Sequence, residues 1–309
     1  MLTKFWEAAG GKLADRWLTV SAPAFLFWSG GVLAWAHSAG GWSGAEPVVA
    51  WLSHRPAVVQ GGALLVALVL VAGSGVVVDR LSGPALRIAE GYWPGWVLKV
   101  WWRLARVAGK RTERRQRSWQ ALQRRIADED PALRPEDFAT YLRLDRAQRR
   151  QASVPYRRMP TRIGAILRAA ESWPLDKYGL ETTAVWPRLW LLLPELTRDE
   201  LIAARRAVTG AVVAALWGLL FTTFGALTPW AVLVGLTVSV LALCVWLPPR
   251  AQAFADLLEA AFDLHRSLLY QHLRWPLPAN PAGEQESGRA LTAYLWRGSD
   301  AAKPSFAKE

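Results

Sequence analysis

The chain has 309 residues, of which 52% are hydrophobic and 20% charged, a mean hydropathy of +0.11 and a formal net charge of +12. So many charges beside an apolar majority require segregation into blocks, which suits a membrane protein with a soluble portion and argues against a uniformly polar chain. The single cysteine, Cys244, excludes an internal disulfide and a cysteine-based metal cluster. Nineteen tryptophans suit interfacial belts, and the excess of arginine (30) over lysine (7) fits GC-rich coding better than a dedicated phosphate site.

Residues 17–37 carry no formal charge, and Trp17 and Trp35 stand near opposite ends, so this stretch reads as a first span interrupted by Pro23 and the Gly30-Gly31 pair. Ala34-Trp35-Ala36 resembles a small-x-small cleavage site, but the length of the segment, Trp28 and the glycine pair argue against removal of residues 1–36 as a signal peptide. Residues 57–78 are 22 consecutive uncharged residues, enough to cross a hydrocarbon core about 30 Å thick. Residues 1–79 therefore read as an N-terminal transmembrane hairpin.

Residues 80–206 hold 26 of the 37 basic residues against 14 acids, whereas residues 38–56 hold only Arg55 and Glu46. Basic loops stay on the cytoplasmic side, so 80–206 is expected to be a cytoplasmic helical domain. Three basic residues precede the first span and seven follow the last, which assigns both termini to the cytoplasm of a multi-pass protein in the inner (cell) membrane.

Inside that domain, residues 93–110 place Trp93, Trp96, Val97, Val100, Trp101 and Leu104 on one helical face and Lys99, Arg103, Arg106 and Lys110 on the other. Nucleic-acid binding would need aromatic and basic groups on the same face, so their segregation argues against it. The stretch begins about 14 residues after the second span and reads as an amphipathic helix in the membrane interface, drawn to anionic lipid.

Further along, residues 114–128 carry Trp119, Leu122 and Ile126 on one stripe. Pro135 opens a helix with Glu136 and Asp137 in its first turn and Phe138, Tyr141 and Leu142 inward. Thr161 caps a third helix with Ile163, Ile166, Leu167 and Ala170 on one face. Residues 173–195 form an apolar run broken by two Trp-Pro steps and too short to span, expected to dock on the bilayer or on other helices. Thr197 and Glu200 match a capping box, and a helix from there to Leu227 would be about 45 Å long and would couple the domain rigidly to the third span.

Residues 207–227 and 230–247 make a second, C-terminal hairpin with Thr228 as N-cap, Pro229 at the first helical position, and Trp230 and Trp246 bracketing the last span. Gly210, Ala214, Gly218, Thr222 and Ala226 recur every four residues, as do Ala231, Gly235 and Ser239. Small residues at this spacing let helices approach closely, within the hairpin or, as the alternative, in a homo-oligomer. After Pro248-Pro249, residues 250–274 read as an amphipathic helix in a segment running from 248 to 309. Glu259 and Asp263 there are like charges four apart that Arg266 would relieve. A short helix with Leu291, Tyr294 and Leu295 and a polar tail of about a dozen residues close the chain.

His265 and His272 lie about 10 Å apart along a helix, too far to share a metal. No phosphate loop, dinucleotide fingerprint, metalloprotease motif, nucleophile elbow or zinc spacing occurs, and no span contains Asp, Glu, Lys or Arg. Coupled transporters place such groups inside the bilayer. The expectation is an all-α, four-helix transmembrane protein of two hairpins, with an interfacial helix and a helical cytoplasmic domain. It is read as no enzyme, without catalytic residue, metal or cofactor. It would serve as a membrane anchor, scaffold or signalling component that binds a protein partner on the cytoplasmic side; the alternative is an oligomeric ion channel or pore-forming effector.

Overall fold

A computed structural model of the chain describes residues 22–99, 117–128, 134–149, 159–278 and 280–298. Among these residues every regular element is helical, and no strand occurs. The chain divides into two compact units, one made of Met1–Arg87 and Ala207–Pro248, the other of Ile88–Arg206 and Pro249–Glu309.

The first unit contains α1 (residues 22–38), α2 (Trp42–Ser53), most of α3 (Ala57–Glu90), the end of α8 (Glu195–Phe221), a 3-10 turn at Thr222–Ala226 and α9 (Pro229–Leu241). Among the described residues, three helices are long and apolar enough to cross a membrane: the one that begins at Ala57, Glu195–Ala226, and Pro229–His272. Residues 22–38 of the expected first span are helical, and 17–21 lie outside the described residues, so three spans are supported and α1 is not counted among them.

Aromatic rings and glycines decide the packing here. Ala24 of α1, Val78 of α3 and Trp217 of α8 are buried together, with Phe27, Val71 and Leu216 against them. A Cβ on Gly30 would sit 2.6 Å from the Phe221 ring, and one on Gly31 would collide with the Phe224 ring. The glycine pair is therefore a seat for two rings, and α1 passes through it unbroken. Trp28 donates its indole N–H to Ser74 Oγ at 3.1 Å, which satisfies a polar group that lipid would leave unpaired. Residues 38–56, between the first two expected spans, are mostly helix α2.

The second unit is built from α4 (residues 117–127), α5 (Pro135–Arg149), α6 (Arg162–Tyr178), α7 (Thr182–Leu192), the start of α8, α10 (Leu247–His272) and α11 (Pro281–Arg297). Thr161 Oγ1 caps α6 by accepting from the Gly164 N–H at 3.0 Å, and Ile163, Ile166, Leu167 and Ala170 are buried as their spacing implies. The proline-broken run 173–195 resolves into the end of α6, which continues through Pro174, and the whole of α7, whose Val185 and Leu189 are completely buried. Trp186 of α7 packs on Phe262 of α10, with ring centroids 5.5 Å apart.

Three local expectations need correction. Thr197 does not cap α8: Leu193 is extended, as a residue before proline must be, and the helix begins at Glu195 with the Pro194 carbonyl accepting its first bond. The amphipathic stretch read over 250–274 is continuous with the last span, because Pro248 and Pro249 do not break the helix. A π-helical turn at Ala242–Trp246 precedes them, and its wider ring absorbs the missing amide donors and the clash of the proline rings. Phe138 and Leu142 of α5 are exposed, because no described element covers that face. The terminal helix α11 is longer than the expected short piece because Asn280 and Pro281 start it ten residues before Leu291, Asn280 Oδ1 accepting from the Gly283 N–H at 2.8 Å.

Candidate functional site

The apolar surface of the first unit is its most distinctive feature. Only 11% of the most apolar stretch of the helix beginning at Ala57 is buried inside the protein, and Leu64, Leu65 and Val69 stand exposed along it. A surface of this size is unstable in water and suits hydrocarbon.

Of the small residues at the second hairpin, Gly218 and Gly235 meet directly. A Cβ on Gly218 would lie 2.8 Å from the Gly235 carbonyl oxygen, and one on Gly235 would lie 2.5 Å from the Gly218 carbonyl oxygen. Ser239 Oγ lies 3.0 Å from the Ala215 carbonyl across the same contact, and Thr222 touches Gly235. Gly210 is exposed with nothing within 4 Å of its would-be Cβ, and Ala214 is half-buried. The structure thus brings Gly218, Thr222, Gly235 and Ser239 together and leaves Gly210 outside the contact.

In the expected interfacial stretch only the beginning is described; Trp101, Arg103, Arg106 and Lys110 lie outside the described residues. Helix resumes at residues 95–99, not at Trp93. Gly91 turns the chain with φ +98, and Trp93 precedes a proline, which disfavours helix. Trp93 donates its indole N–H to the Ile88 carbonyl at 2.8 Å, whereas Trp96 is 72% exposed and Lys99 is also exposed, so the ring and the charge available to a surface ligand are those two.

The second unit holds a polar network with no counterpart in the sequence reading beyond Asp263 and Arg266. Tyr178 donates to Asp263 Oδ1 at 2.5 Å, and Lys177 Nζ lies 3.1 Å from Asp263 Oδ2. Arg266 pairs with Glu284 at 2.6 Å and stacks 4.1 Å over the Tyr178 ring, so α6, α10 and α11 are clamped together. Burial alone would push the Asp263 carboxyl up, but the hydrogen bonds from Tyr178 and Lys177 and the neighbouring positive charges outweigh it and hold the carboxyl below the usual carboxylate range. Burial, then the bond it donates to Asp263, pushes the Tyr178 hydroxyl up. Asp263 and Arg266 lie in the polar half of α10, well past the apolar stretch that ends near Leu247, and their partners are on α6 and α11.

Beside this clamp, the turn between α6 and α7 is pressed onto α11. Gly179 takes the left-handed conformation with φ +72, and a Cβ on Gly288 would collide with the Tyr178 carbonyl oxygen. Thr292 Oγ1 accepts from the Glu181 N–H at 3.1 Å and donates to the Gly179 carbonyl at 3.2 Å. A groove of about 600 Å³ opens on the outer side of that contact, lined by Leu175, Glu181, Thr183, Arg289, Thr292 and Trp296 among others. It offers apolar area, both charge signs and an exposed tryptophan, the chemistry of a peptide surface. Thr183 Oγ1 donates to Glu181 Oε1 at 3.3 Å on its rim, and no group of three or more potential metal-ligating side chains occurs among the described residues. The groove was not legible in the sequence, because it forms only where a glycine turn and a glycine of α11 touch.

No family model matches the chain, and no curated protein or solved structure matches it either.

Proposed function

We propose that the protein is a multi-pass membrane anchor, acting as a scaffold or signalling component, whose second unit binds a protein partner at the cytoplasmic surface of the inner membrane. The observation that carries this reading is the contrast between the two units. The first exposes long apolar helices without any Asp, Glu, Lys or Arg in their apolar stretches, and the second combines a clamped helical core with a mixed-charge, tryptophan-bearing groove. In this reading α1 completes a fourth span and both termini are cytoplasmic, as the distribution of basic residues supports. The exposed Trp96 and Lys99 begin a segment that contacts anionic lipid, and nucleic acid is not a partner.

The experiment is site-specific photo-crosslinking in cells. A photoreactive residue in place of Thr183 or Ala293, on the groove, should yield one discrete adduct that Arg289→Glu abolishes, while the same residue in place of Arg143 on α5 should yield none. Absence of a groove adduct, with ion conductance from the purified protein in liposomes, would favour the second reading. That reading, an oligomeric channel or pore-forming effector, is supported by Gly210, which leaves part of the small-residue ridge open to another subunit.

A further inference from the structure

The connection between α1 and α3 is more than a loop. We propose that α2 lies in the headgroup region of the leaflet at which α1 and α3 are joined, with its apolar face occupied by phospholipid. The proposal rests on the reading of α1 and α3 as spans.

Four observations carry it. First, α2 is amphipathic: Val48, Val49, Trp51 and Leu52 fall on one side of the helix, and Glu46, Ala50 and Ser53 fall on the other. Val49 is 65% exposed and Trp51 56% exposed, so the apolar side is not covered by the protein itself.

Second, α2 is held at the membrane boundary by its connections. Residues 39–41 join it to α1 and residues 54–56 join it to α3, and three residues reach roughly 10 Å at most. The exposed apolar surface continues directly into the first turn of α3, where Val58 is 85% exposed. A protein partner covering α2 would therefore have to cover surface that faces lipid, whereas lipid covers both without interruption.

Third, the corner after α2 is built for a place with little water. The last carbonyls of a helix have no partner within it, and outside water they need one. Gln60, the one long polar side chain of the second span, turns back so that its Nε2 lies 3.0 to 3.3 Å from the carbonyls of Leu52, Ser53 and Arg55. One amide thus serves the end of α2 and the turn that follows. A corner in bulk water has no need of this, because water would satisfy the same oxygens.

Fourth, the charge sits where a headgroup would meet it. The Arg55 guanidinium stacks 4.5 Å over the Trp51 ring, which places a cation and an interfacial aromatic residue together at the end of the apolar face. The chemistry recognised is a phospholipid: phosphate for Arg55, the glycerol and upper acyl region for Trp51 and the valines.

The test uses the full-length protein in liposomes on a Cys244→Ala background, with single cysteines Val49→Cys, Trp51→Cys, Glu46→Cys and Leu68→Cys each carrying an environment-sensitive fluorophore. Labels at 49 and 51 should emit in the blue, and a headgroup nitroxide lipid should quench them about twofold more than a deep-chain nitroxide lipid, matching a helix sunk roughly 5–10 Å into the interface. The label at 46 should emit like water and be quenched by iodide, and the label at 68 should be quenched most by the deep nitroxide. Water-like emission at both 49 and 51, with the label at 68 deeply quenched, overturns the proposal and leaves the spans intact. Dry emission at 49 and 51 that neither nitroxide quenches means that a protein or a second copy covers α2, and it also overturns the proposal. A label at 68 that no lipid quenches removes the membrane reading, and this proposal with it.

Discussion

Gly218 is the residue on which the second hairpin closes. Its missing side chain allows the backbones of α8 and α9 to touch, and a leucine there would meet the Gly235 carbonyl and Ser239, neither of which can retreat far. Gly218→Leu is expected to destabilise the protein by about 1–3 kcal/mol in detergent with its oligomeric mass unchanged. Gly210→Leu meets open space and should leave stability nearly unaltered. A fall in mass for Gly210→Leu, measured by light scattering, would show that this end of the ridge joins subunits.

A second prediction at this scale follows from Asp263. Its folded carboxyl titrates below the ordinary value of 3.8, so the stabilisation it provides is fully present above that pH and is lost as pH falls through the lower, folded value. Unfolding of the protein followed from pH 7 to pH 2 should therefore show a loss below about pH 4 that Asp263→Asn reduces. At neutral pH the same substitution should cost about 1 kcal/mol or less, because the side chain is 39% exposed and solvent screens the pair. An acid limb identical in both proteins would remove Asp263 from the account.

Among the elements, the contact between the α6–α7 turn and α11 carries the second unit. Backbone meets backbone there, so a methyl group at Gly288 finds the Tyr178 carbonyl oxygen at a separation no side-chain rotation can relieve. Gly288→Ala is expected to cost about 2 kcal/mol and to open the groove, read as faster proteolysis between residues 178 and 182, while membrane insertion is unaffected. Unchanged proteolysis would mean that α11 is not seated as described.

The elements were unevenly legible. Thr161 and its stripe of Ile163, Ile166 and Leu167 could be placed from local spacing alone, since a cap and a buried face are properties of a few consecutive residues. The amphipathic helix over 250–274 could be placed from its spacing, but the π-helical turn that lets it run on through Pro248-Pro249 lies upstream of the prolines and has no signature of its own. Thr197 failed as a cap. A matching capping pattern was present, but Pro194 had already set the start of the helix.

At the scale of the whole molecule, the distribution of basic residues predicts an orientation that reporter fusions can read. Fusions after Ala45 should report the outside, and fusions after Arg150 or Lys303 the inside. An outside signal after Arg150 would invert the arrangement and place the groove where no cytoplasmic partner reaches it.

The sequence by itself determined the helical class and the uncharged stretches, because helix periodicity and the cost of burying charge in hydrocarbon are properties of short stretches of chain. It also located the positive charge between residues 80 and 206 and the glycines that pack the second hairpin. Only the tertiary structure decided which glycines meet, that Gly30 and Gly31 seat Phe221 and Phe224, that Gln60 closes the corner after α2, and that Tyr178, Asp263 and Arg266 form one clamp. Each of these joins residues tens to nearly two hundred positions apart or turns a side chain back on its own backbone. Such encounters are set by the packing of whole helices, which no local pattern records.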